Sequence, residues 1–180
     1  NLNPFIKAKT FKNINIDELK KQAYVFGGID AYAWRGVVWI SKSSFRCYKS
    51  QVNFLAWVLA HEISHIIFND HINQSKKLLK EYKNIKSSNK LKLKKLLEMK
   101  LSRNSEKKAD KNSARMLLNA GFSKSKILEE FSYEAETNGW EVETDPEGTH
   151  PGYIERYKAL NKFVHKYKVD ISIPINKNSW

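Results

Sequence analysis

A single cysteine, Cys47, stands in a chain of 180 residues. That scarcity excludes an internal disulfide framework, and it excludes a thiolate-rich structural zinc site, which needs several Cys or a Cys/His mixture. Long hydrophobic runs are missing too. The longest uninterrupted apolar stretch, Phe54–Ala60, has seven residues, against the 18 or more expected of a membrane-spanning helix. Gly and Pro are absent from Tyr48 to Asp70, so nothing in that stretch breaks a helix. Acidic residues are in short supply, with 19 Asp and Glu against 32 Lys and Arg, for a net charge of +13. With 41% hydrophobic residues, the length suits one core and is short for two, so residues 1–180 read as one domain. The first residue is Asn1 and not Met, which leaves room for an upstream signal or membrane anchor and hence for either a cytoplasmic or a membrane-associated setting.

The positive charge is concentrated. Between Lys76 and Arg103 lie ten Lys and one Arg against Glu81 and Glu98, a local excess of nine. Leucines at 78, 79, 91, 93, 96, 97 and 101 run through the same stretch. It therefore reads as one or two Lys-rich amphipathic helices, broken near Ser87-Ser88-Asn89, forming an insertion over about 74–103. A solvated helical face is the plainest account of such a run. An acidic polypeptide, an anionic membrane surface or a nucleic-acid backbone would also be attracted to it. Tyr82 is its only aromatic residue, which disfavours nucleic acid, because single-strand platforms interleave aromatics with the charge.

What the chain does contain is His61-Glu62-Ile63-Ser64-His65, an H-E-x-x-H pattern directly after the apolar run. Residues four apart share a helix face, so His61 and His65 can aim two imidazoles at one tetrahedral ion, with Glu62 beside it. Zinc lowers the pKa of a bound water to near 7, and an adjacent carboxylate can take its proton as it attacks a carbonyl.

Around that helix the pattern is α+β and mostly helical. A short helix is expected from Ile16 to Phe26, closed by Gly27-Gly28. Ile29–Ala33 and Val37–Ile40, joined through Trp34-Arg35-Gly36, have the β-branched and aromatic content of a hairpin. Asn104 can cap a helix from Ser105 to Ala120, and further helices are expected from Ser123 to Thr137 and from Pro151 to Lys168. The acidic stretch 138–148 between them reads as a loop. The tail, residues 169–180, opens with the alternation Val169–Ile175 of an edge strand that tolerates Pro174.

Two histidines do not hold a catalytic zinc, so a third ligand must come from elsewhere. His71, His150, His165 and several acids are candidates. Glu106 stands out, because Glu106-Lys-Lys-Ala-Asp110 places a second carboxylate on the same helix face. One acid could bind the ion while the other orients an imidazole, and Ala109 between them allows close helix packing.

H-E-x-x-H, then E-x-x-A-D, then Thr149-His150-Pro151 with Arg156 six residues after the His, resembles the metallopeptidase family of the CAAX prenyl protease and the HtpX-like heat-shock proteases. The likeness includes Leu59–His65, the strand around Asp30-Ala-Tyr32 and Ala120-Gly-Phe122, and runs from about residue 29 to 160, the core being about 29–168. It implies a zincin-type domain with a small sheet beside the H-E-x-x-H helix and one Zn2+ per chain. It implies His61, His65 and Glu106 as ligands, Glu62 as general base and acid, and Asp110 as partner of a ligating His. His150 would stabilise the oxyanion, with Arg156 holding that region. Asp30 would contact substrate, although the family usually has Asn there. The strand with Val37, Val38 and Trp39 would align an extended polypeptide by its main chain. The expected activity is zinc-dependent hydrolysis of peptide bonds in extended or unfolded, and given the lysines acidic, polypeptide. The competing expectations are a repressor-cleaving metalloprotease, which the Thr149–Pro151 motif disfavours, and a zinc-containing binding module. The tail could also lie in its own substrate groove as an inhibitory strand.

Overall fold

The computed structural model describes residues 5–6, 31–34, 36–42, 44–45, 51–86, 88–137 and 139–169. Three strands, β1 (Phe5–Ile6), β2 (Ala31–Trp34) and β3 (Val37–Ser41), form an antiparallel sheet in the order β1-β3-β2. Among the described residues the longer helices are α1 (Val52–Ile67), α2 (Asp70–Lys83), α3 (Lys90–Asn119), α4 (Lys124–Thr137) and α5 (Tyr153–Lys166). This is the mostly helical α+β architecture expected from the sequence. The expected helix at 16–26, Asp30, Cys47 and the tail after Val169 lie outside the described residues.

The hairpin forms where its composition placed it. Trp34 pairs with Val37 across a two-residue connection, a geometry that requires positive φ, and Gly36 supplies it at φ +79°. β3 is the middle strand, with Val37–Ile40 paired to β2 and Ile40–Ser41 paired to β1.

The core is built where four helices meet. α1 contributes Phe54, Trp57, Val58 and Ala60; α3 contributes Ala114, Leu117 and Leu118; α4 contributes Ile127 and Phe131; α5 contributes Leu160 and Val164. Residues 54, 57, 58 and 61 follow the i, i+3, i+4, i+7 spacing of one buried helix face. His61 is thus the next step of an apolar stripe, and burial of that stripe carries its ring indoors.

Two helix boundaries differ from expectation. The helix does not run on to Asp70: α1 stops at Ile67, and Asn69 adopts a left-handed backbone at φ 48°. Asn tolerates that region better than other non-glycine residues, and its Asn73 neighbour donates Nδ2 to the Phe68 carbonyl at 2.7 Å, stabilising the corner. Asn104 does not start a helix; it lies inside the 30-residue α3, which is about 45 Å long. No Gly or Pro interrupts Lys90–Asn119, and Asn or Ser inside a helix costs only about half a kcal/mol, too little to break it. The second part of the Lys-rich stretch, from Lys90, and the E-x-x-A-D segment are therefore parts of one helix. The break near 87–89 is present, between α2 and α3.

The acidic stretch is an ordered connection and not a loose one. Carbonyls of Glu141 and Val142 accept from the Tyr153 and Ile154 N–H groups at 2.9 and 3.2 Å, and Thr144 Oγ1 accepts from Gly152 N at 2.9 Å. These bonds satisfy the amides that the start of α5 leaves free. The approach is so close that a Cβ on Gly152 would lie 2.2 Å from the Glu143 carbonyl carbon.

Candidate metal centre

α1 and α3 pack closely through small side chains. Ala109, Ser64 and Ser113 are fully buried; Asn112 Nδ2 donates to Ser64 Oγ at 3.1 Å, and Ser64 Oγ donates to the Ala60 carbonyl at 2.7 Å. This contact brings Glu106 and Asp110 of α3 onto the His61–His65 face of α1.

His61 Nε2 and His65 Nε2 lie 3.1 Å apart. Glu106 Oε2 is 3.3 Å from the first and Glu106 Oε1 is 3.5 Å from the second. A tetrahedral ion with bonds of about 2.0–2.1 Å sets its donors about 3.3–3.4 Å apart. The three side chains already stand at that spacing, and they form a group able to hold a metal ion.

Behind each imidazole stands a carboxylate. His61 Nδ1 is 3.1 Å from Asp110 Oδ1; the ring N–H points off the oxygen, so this contact is electrostatic more than a well-aligned hydrogen bond. His65 Nδ1 is 2.9 Å from Asp70 Oδ2. Both acids favour a proton on Nδ1 and leave the Nε2 lone pair for an ion. Asp70 was not anticipated. The left-handed Asn69 turns the chain so that the first residue of α2 faces back to α1, and the Asn-Asp pair at 69–70 was the one available signal.

Arg156 is buried. Its Nε and Nη2 donate to Asp110 Oδ2 and Oδ1 at 2.9 and 2.7 Å, while its guanidinium carbon lies 4.0 Å over the Trp140 ring. Nη2 is also 3.6 Å from Glu106 Oε2. The arginine thus sits behind the acids and orients them, at a distance from solvent.

The electrostatics call for a cation at the centre. Burial pushes the His61 pKa down, but Asp110 and Glu106 outweigh it and hold the ring well above its ordinary value. Burial pushes the Glu106 carboxyl up, and its hydrogen bond to His61 with the nearby positive charges pulls it far below the usual range. For Asp110 burial is likewise outweighed, chiefly by Arg156. A proton on His61 and a metal ion at the same point answer one demand. The donor chemistry, spacing and charge all fit a divalent ion of the zinc type.

Glu62, half-buried beside this cluster, has its pKa pushed up to about 7 by burial, with the His61 and His65 charges opposing and the Glu106 and Glu134 charges adding. Glu134 of α4, which no motif marks, is buried and accepts from Trp57 Nε1 at 2.7 Å. His150 stands at the solvent side: its side chain is 66% exposed, and Nε2 is 3.9 Å from Glu106 Oε1. Thr149 Oγ1 lies 3.0 Å from its Nδ1. His71 and His165 are exposed and outside the group able to hold an ion; His71 packs on Trp34 with ring centroids 4.2 Å apart and lines the cleft beside His65.

A cleft of about 220 Å³ opens next to His65 and Glu106, walled by Ala33, Trp34, Gly36 and the first residues of α2. Val37, Val38 and Trp39, expected to align the substrate, lie on β3 ahead of Ile40 and Ser41, the residues that pair with β1; the Val37 and Trp39 side chains are buried, and the strand residues that line the cleft are Ala33 and Trp34 at the end of β2. A larger hollow of about 970 Å³ lies between the start of α1 and α4 and contains none of the cluster.

Comparison with protein-family models matches residues 6–164 to the model described as peptidase family M48. Searches of the curated proteins and of the solved structures gave no match.

Proposed function

The chain belongs to peptidase family M48, a family of metallopeptidases, and from that premise we propose that it is a zinc-dependent endopeptidase cutting extended or unfolded polypeptide. The observation that carries the reading is the spacing of His61 Nε2, His65 Nε2 and Glu106 at 3.1–3.5 Å, with Glu62 beside them. His61, His65 and Glu106 would hold the ion. Once bound, the ion supplies a Lewis acid that polarises the scissile carbonyl and acidifies water.

The remaining work belongs to the chain's own side chains. Glu62 takes the proton of the attacking water and later delivers it to the leaving amine. Burial raises the pKa of this carboxyl above its ordinary value, in the direction that suits both transfers, since an acid–base group works best with its pKa near the working pH. His150, exposed at the rim within 3.9 Å of Glu106, is placed to donate to the developing oxyanion. Asp110 and Asp70 hold the imidazoles, and Arg156 holds Asp110. The cleft of about 220 Å³ is below the usual 300–1,000 Å³ of a small-molecule pocket, which favours a strand of polypeptide passing over the site.

Chelation tests the reading. Removing the metal abolishes cleavage of an unfolded protein, and stoichiometric zinc restores it to wild type but not to Glu106→Gln. Cleavage that survives chelation with no metal detected overturns the proposal.

A further inference from the structure

The hairpin of α2 and the first turns of α3 stands outside the core. Among the described residues, none between 61 and 113 belongs to the main buried apolar cluster, and α2 buries only Asp70. Along these helices Leu78, Tyr82 and Leu97 are half-buried and Met99 is buried, with the Lys90 ammonium 4.3 Å from the Tyr82 ring. Yet Leu79, Leu91, Leu93 and Leu96 remain 60, 77, 40 and 42% exposed.

These leucines are set among uncompensated cations. The two acids of the stretch are each held by a lysine one turn away, Glu81 by Lys77 at 4.0 Å and Glu98 by Lys94 at 3.3 Å. Lys86, Lys92 and Lys100 are exposed and keep their charge for something else. On α3, Leu93, Leu96 and Lys100 follow one another at i, i+3 and i+7, so apolar and cationic groups share one face.

We propose that this hairpin docks the protein on an anionic lipid surface, the leucines entering the acyl boundary and the lysines engaging the head groups. Lysine suits the part, because its stem can lie along apolar surface while the ammonium stays in the polar layer. Nucleic acid would use the charge and leave the leucines idle, and its stacking partner, Tyr82, is already covered by Lys90. An acidic polypeptide would explain the charge, though it gives the exposed Leu93 and Leu96, on the face of Lys100, no use. Docking would also set the cleft near the bilayer, because the first turn of α2 lines it. The inference stands whether or not the chain cleaves peptides.

The test is cosedimentation of the whole chain with phosphatidylcholine vesicles, with and without about 30% phosphatidylserine, near physiological salt. Binding to the anionic vesicles should be on the order of tenfold tighter than to neutral ones and should weaken as salt rises. L79S/L91S/L93S/L96S, which leaves the charge unchanged, should lose about tenfold on the anionic vesicles while keeping helical circular dichroism. Should that variant unfold, K86Q/K92Q/K100Q serves instead and must lose the preference for anionic vesicles. No preference by wild type, or a folded leucine variant that binds as well as wild type, overturns the proposal. Tight, leucine-independent capture by polyglutamate with no vesicle binding would assign the hairpin to acidic polypeptide.

Discussion

Around the point where one ion would be held the arrangement is concentric: three donors, two aspartates behind the imidazoles, and Arg156 behind one aspartate. His61, Glu62 and His65 could be read from their spacing, because i and i+4 fix a shared face before any tertiary structure is known. Glu106 and Asp110 could be read once a third ligand was required, and α3 packs to bring both onto that face. Asp70 could not, because its place depends on the left-handed Asn69, a single dihedral that no periodicity reports. Asp70→Asn should therefore weaken zinc retention by about 10–100-fold, the usual effect of losing a partner behind a ligand, as measured by competition with a chromophoric chelator; unchanged retention would show the 2.9 Å contact to be incidental. Arg156→Met leaves the Asp110 carboxylate buried without its main partner and should cost about 3–5 kcal/mol in chemical denaturation. The effect should depend on pH. Arg156 holds the Asp110 pKa below its ordinary value, so the pair's contribution is in full present above about pH 4 and fades only as acid takes the solution through the lowered pKa. The variant's deficit should shrink on acidification, and a deficit that grows toward low pH would contradict the pairing.

At the scale of elements, composition located helices well and their ends poorly. The hairpin at Arg35-Gly36 and the break near 87–89 were legible because turn chemistry is local. The fusion of the Lys-rich stretch with the E-x-x-A-D segment into one helix was not, because a good N-cap residue such as Asn104 is tolerated inside a helix that packing holds on both sides. The acidic connection before α5 read as a loop, while its role as the cap of α5 rests on Gly152 admitting the Glu143 backbone. Gly152→Ala forces those atoms apart and should cost about 1–3 kcal/mol as overpacking does; a thermal melt that does not move would mean the loop yields freely. Glu155 ties the same loop to α3, accepting from Thr144 Oγ1 and Lys107 Nζ at 2.7 Å each, and those bonds lower its pKa. Its stabilising effect is present above the ordinary Glu range and is lost as pH falls through the lowered pKa. Being partly exposed, the tie is worth at most about 1 kcal/mol, so Glu155→Gln should differ slightly from wild type at pH 7 and not at all near pH 2.

Over the whole molecule, the sequence announced the chemistry more clearly than the surface on which it acts. The H-E-x-x-H helix, the second acidic motif and the Thr-His-Pro segment belong to one site because the four-helix core brings α1, α3 and α5 together, and the family match over residues 6–164 spans them all. Strand order is a tertiary property, and the pairing of β1 with Ile40 and Ser41 of β3 was not legible in two runs of equal β character. Metal should act as a ligand of the folded state alone, so zinc at about 100 times its dissociation constant should raise stability by about 2.7 kcal/mol in wild type and much less in His65→Ala. The most direct test of the account is cleavage of an unfolded protein by zinc-loaded wild type and Glu62→Gln, with the zinc content of both samples measured. The account predicts equal zinc in the two and turnover at least about 100-fold lower in the variant. A variant that holds zinc and cuts as fast as wild type would contradict it.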